Sequence, residues 1–165
     1  MGAQQPVSPT QMRLIGAGVA AFGFWLMLVG LGLLPIPGGE RNLHSPLWIV
    51  LAVGLAFFLA GLAVLLQIWG RANESGEFPA DAPLWPRLAQ YAINVSIFAC
   101  FALIGSWVAF GPGPRGFSGS FLFFSHATNE WIGRAAFGFG AILCWLGTLA
   151  FAVVGWRKTF GRSKS

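Results

Sequence analysis

Charge is scarce in this chain, and it is missing from the middle of every long apolar run. Only 9% of its 165 residues are Asp, Glu, Lys or Arg, against about 25% in an ordinary soluble domain. Four runs, Leu14–Leu34, Leu47–Trp69, Leu88–Phe110 and Trp131–Trp156, occupy more than half of the chain, and none holds an acidic or basic residue in its middle. That gap argues against a proton- or cation-coupled transporter, which places such a residue at mid-membrane. Histidine is equally sparse. Both copies, His44 and His126, lie outside the runs, so axial ligands for an intramembrane haem are missing. The two cysteines, Cys100 and Cys144, fall inside runs, which leaves no disulfide framework and no reactive pair near an outer face. They read as small packing residues. No G-x-S-x-G elbow, H-E-x-x-H pair or phosphate-cradling glycine loop is present. Neither a catalytic residue nor a cofactor is therefore expected.

What remains is membrane. At 1.5 Å per residue the runs reach roughly 31–39 Å, enough for a hydrocarbon core of about 30 Å. The expected fold is all-α: four transmembrane helices over those runs, in one domain, residues 1–165, with flexible tails at 1–12 and 158–165. The net charge of +5 needs no nucleic acid to explain it, because the basic residues sit at the run boundaries. With the N-terminus inside, the inner segments hold Arg13, Arg71, Arg87, Arg157, Lys158, Arg162 and Lys164. The outer ones hold Arg41, Arg115 and Arg134. That asymmetry predicts both termini in the cytoplasm. The first run is longer than a signal-peptide core and has no A-x-A pattern after it, so it reads as a retained helix.

Six of the eight tryptophans, Trp48, Trp69, Trp85, Trp107, Trp131 and Trp156, lie at or near run ends, as an interfacial belt does; only Trp25 and Trp145 fall mid-run. Small residues form stripes. The first run has Gly16, Ala20, Gly23 and Gly30, with Met27 in the gap; the second has Ala52, Ala56 and Ala60. The third has Ala89, Ala92, Ser96, Ala99 and Ser106; the fourth has Gly133, Ala136, Gly140, Cys144 and Gly147. Spacings near 3.5 keep such a stripe on one face of a left-handed, up-down-up-down bundle, and small side chains let backbones approach closely.

Three polar or aromatic features remain as candidate sites. Gln90 and Asn94, one turn apart, point away from the Ala92–Ser96–Ala99 stripe. Asn94 is the most polar group in the apolar zone and needs a partner, either a second neighbouring helix or another polypeptide. The stretch 117–125 is too apolar for water, and Phe121, Phe123 and Phe124 mark it as a surface for headgroups, for the bundle or for a partner. His126, Glu130 and Arg134, spaced by four, stack on one face of a helix extended backwards from Trp131, with Glu130 and Arg134 in the favourable order for an ion pair. His126 and Glu130, with Glu40 and His44 of the other outer loop, are weak candidate metal ligands. A capping and anchoring cluster is the simpler reading.

Pro46-Leu47-Trp48-Ile49-Val50, the run from Trp107 through Gly111-Pro112-Gly113-Pro114 to Arg115, and Arg134-Ala135-Ala136-Phe137-Gly138 resemble small four-helix inner-membrane proteins of proteobacteria. The resemblance covers the second to fourth runs. It implies a bacterial cytoplasmic membrane and transfers no activity and no functional residue. The expected role is an accessory or interaction protein of that membrane. It would bind a larger membrane complex or its own copies by helix contacts, with the Asn94 face and the aromatic outer loop as surfaces. An outer-face ligand site and, below it, a small oligomeric channel or carrier are the alternatives.

Overall fold

The computed structural model describes residues 8–36, 45–70, 78, 83–113 and 126–160. Among them it is all-helical: α1 Pro9–Gly30, α2 Leu47–Trp69, α3 Leu84–Phe110 and α4 His126–Phe160. Each helix is long and apolar enough to cross a membrane.

Helix ends depart from the apolar runs for local reasons. α1 starts five residues before its run, because Ser8-Pro9-Thr10-Gln11 is a helix start. The Gln11 N–H donates to Ser8 Oγ at 3.2 Å, the Ser8 N–H donates to Gln11 Oε1 at 3.0 Å, and Pro9 holds the first helical position. The last part of the tail predicted for 1–12 is thus helical. The same helix stops at Gly30, short of Leu34. Gly32, at φ +72°, turns the chain left-handed, and the N–H groups of Gly32 and Leu33 fold back onto the carbonyls of Val29 and Leu28. α2 has the limits of its run, bounded by Pro46 and Gly70. α3 begins four residues early, with Pro86 in a first turn whose N–H groups lack intrahelical partners anyway.

The helices touch in chain order. α1 packs on α2, α2 on α3 and α3 on α4; among the described residues α1 and α4 do not meet. The buried share of each apolar span follows from this: 28% and 22% for α2 and α3, but 17% and 11% for α1 and α4. The α1/α2 seam is backbone against backbone. A Cβ on Gly23 would meet the Phe58 nitrogen, one on Gly61 would meet the Ala20 nitrogen, and one on Gly54 would lie 2.6 Å from the Met27 nitrogen. Those pairings run in opposite senses along the two helices. The α3/α4 seam also runs antiparallel, but side chains mediate it: Phe98 covers Gly147, Tyr91 covers Gly155, and Ala141 lies over Gly105.

Three stripes therefore differ from expectation. On α2, Gly54 and Gly61 face α1, while Ala52 and Ala56 are buried on the opposite side of the helix, toward α3. On α3, the row turned to α4 runs through Tyr91, Phe98, Ala102, Gly105 and Ala109. Ala92, from the predicted stripe, is exposed. The α4 stripe splits as well: Gly147 lies under Phe98, whereas a Cβ on Gly140 would meet open space and Ala136 is exposed.

Candidate functional site

Two groups of polar contacts lie along α3 and α4. The first is at the junction of α3's end with α4's start. α3 stops at Phe110, and Gly111 and Gly113 carry the chain out, Gly113 at φ +96°. Their carbonyls find no N–H donor in a further helical turn. Arg134, two turns into α4, supplies donors. Nη2 donates to Gly113 O at 2.6 Å and Nη1 to Gly111 O at 3.4 Å, while Nε donates to Glu130 Oε1 at 3.1 Å. The Arg134–Glu130 ion pair closes at 3.0 Å, with both side chains about one-third exposed. One guanidinium thus ties a helix end to its neighbour and is itself held in orientation by a carboxylate one turn away. Beside it lies an open groove of about 460 Å³ lined by Phe110, Trp131, Arg134, Gly138, Phe139 and Ile142.

The second lies along the α3/α4 seam. Trp145 donates its indole N–H to Ser106 Oγ at 3.3 Å, across the α3/α4 seam. Thr148 returns its hydroxyl to the Cys144 carbonyl at 2.8 Å, within the helix. Trp25, the other mid-run tryptophan, sits with Phe22 and Phe57 on the outside of the α1/α2 hairpin.

Of the predicted site residues, Asn94 is half-buried and continues the row that faces α4, one turn from Tyr91 and one from Phe98. Gln90 is half-buried too. α3 therefore touches helices on both sides, one of the two arrangements that Asn94 suggested. The proposed ligand quartet is largely beyond reach: Glu40 and His44 lie outside the described residues, and only the backbone of His126 is described. Glu130 is committed to Arg134. Among the described residues no three His, Cys, Asp or Glu side chains converge on a metal-sized site. Phe121, Phe123 and Phe124 also lie outside the described residues. Both cysteines are free thiols, and Cys100 is buried. It sits half a turn around from the α4-facing row, so it is turned toward α2 and away from Cys144.

Sequence reasoning missed the Arg134 bonds to Gly111 and Gly113 and the Ser106–Trp145 bond. It had a signal for the α2 seam: Gly54 and Gly61 repeat at seven, as Gly16, Gly23 and Gly30 do. No family model, curated protein or solved structure matches the chain.

Proposed function

We propose that this protein is a non-enzymatic accessory subunit of the bacterial inner membrane, joining a larger membrane complex through helix contacts. In this reading the chain crosses the bilayer four times, up-down-up-down and left-handed, with both termini in the cytoplasm. The seven-to-three division of basic residues supports that orientation. One observation carries the proposal. Among the described residues α1 and α4 each pack on a single neighbour and turn small residues outward, Gly18 on α1 and Gly140 on α4, where an added Cβ meets nothing within 4 Å. Such positions admit a close-packed foreign helix. Asn94 lies on a row already turned to α4, so the outer faces of α1 and α4 replace it as the leading contact surfaces.

Native mass spectrometry on protein purified at endogenous expression in mild detergent tests this. The proposal expects a stoichiometric complex much heavier than 17.6 kDa, retained in Asn94→Leu. The bare chain alone would count against it.

A second reading has one observation behind it. α4 begins at His126, which sets His126 and Glu130 four residues apart on a helix, a spacing suited to a shared ligand on the outer face together with Glu40 and His44. Elemental analysis with and without His126→Ala separates the two readings. Stoichiometric metal that is lost in the variant supports the second; no metal in either sample ends it.

A further inference from the structure

The helix contacts gather arginines from three helices at one end of the molecule. A Cβ on Gly16 would touch Val64, and one on Gly155 would touch Tyr91, so α1's start lies beside α2's end and α4's end beside α3's start. Trp48 packs edge-on against Trp107 at 6.2 Å, which puts α2's start next to α3's end. Arg13 in α1's second turn, Arg87 in α3's first turn and Arg157 near α4's end therefore share one end. Arg13 and Arg157 are exposed and Arg87 is half-buried. Neither α1 nor α3 has an acidic residue in its first turn. In sequence Arg71 adjoins this end of α2, and Lys158, Arg162 and Lys164 follow Arg157. Among the described residues this end carries no Asp or Glu. At the other end, among the described residues, the one arginine, Arg134, is bound by Glu130. Trp69 and Trp85 mark the depth of the cationic end, 79% and 60% exposed, as indoles at the headgroup level are.

We propose that this end is a collar for anionic phospholipid headgroups: it concentrates phosphodiester lipids that carry net negative charge over zwitterionic ones. The groups are spread over three helices, so the attraction is summed and diffuse and has no closed pocket. Arginine offers phosphate several N–H donors in a fixed fork. Basic side chains near a membrane surface each add to the attraction for anionic lipid, within a Debye length and subject to salt. The collar is independent of the accessory role and of which side of the membrane this end occupies.

Electron spin resonance on the full chain in vesicles tests it, with spin-labelled phosphatidylglycerol and phosphatidylcholine compared as the motionally restricted fraction. The collar predicts a phosphatidylglycerol preference of about fivefold at low salt, lost at high salt and roughly halved in an Arg13→Gln/Arg157→Gln double variant. Both substitutions are at exposed positions and spare the helix seams. The salt titration of the unmodified chain gives an answer even if the variant misfolds. Equal association of the two lipids at low salt overturns the proposal, as does a preference unchanged by the double substitution. Inorganic phosphate at matched ionic strength should leave the preference intact. If it abolishes the preference, the groups form a site for free phosphate and the collar is wrong.

Discussion

At the residue scale the two faces of α1 answer differently to one added methyl. Gly23 has the Phe58 nitrogen and the Gly54 carbonyl where its Cβ would go, and backbone cannot swing aside as a side chain can. Gly23→Ala is expected to cost about 1–3 kcal/mol by forcing α1 off α2, read as equilibrium unfolding in mixed micelles. Gly18→Ala on the same helix meets nothing and should leave stability unchanged or raise it by up to about 1 kcal/mol through helix propensity. Equal effects at the two glycines would mean that α1 does not sit on α2 as described. Removing the acceptor of Trp145 with Ser106→Ala should cost about 0.6 kcal/mol, the average for interhelical hydrogen bonds in lipid, and shift the indole's emission. A spectrum that stays put would remove that bond.

At the scale of elements, Arg134 joins α3's end to α4. Arg134→Gln should speed hydrogen exchange at 111–113 and cost about 1 kcal/mol, since a charged hydrogen bond that is one-third exposed is worth less than a buried one. Glu130→Gln should cost less, about 0.3–0.5 kcal/mol, because it removes only the i,i+4 partner. If the two variants exchange alike at 111–113, the carbonyl bonds are not what holds the turn.

The same element shows how much the sequence disclosed. The four helices follow from apolar run length, and the Glu130–Arg134 pair follows from spacing, because both depend on residues near one another in the chain. The helix starts at Ser8 and Leu84 were legible in the Ser-Pro-x-Gln box and in the tolerance of a first turn for proline, signals weaker than hydropathy. Which stripe faces which helix was not legible. Small residues ring α3 and α4, and only the third dimension chooses Gly105 over Ala92 or leaves Gly140 open. The Arg134 bonds to Gly111 and Gly113 join positions more than twenty residues apart, and no periodicity announces such a pair.

At the scale of the molecule, contacts made in chain order among the described residues give α2 and α3 two used faces each, and α1 and α4 one. A membrane protein built so presents its outer helices to lipid or to another polypeptide. Small residues at Gly18 and Gly140 suit the polypeptide better, because lipid tails gain nothing from a close backbone approach. The most direct test of the accessory account is photo-crosslinking in native membranes. A benzophenone amino acid is placed at Gly18, at Gly140 and, as a seam control, at Ala102, which is 0% exposed. The account predicts an adduct of one defined mass to a second polypeptide from Gly18 or Gly140, with only intramolecular linkage from Ala102. Lipid adducts alone at both outer positions would contradict it.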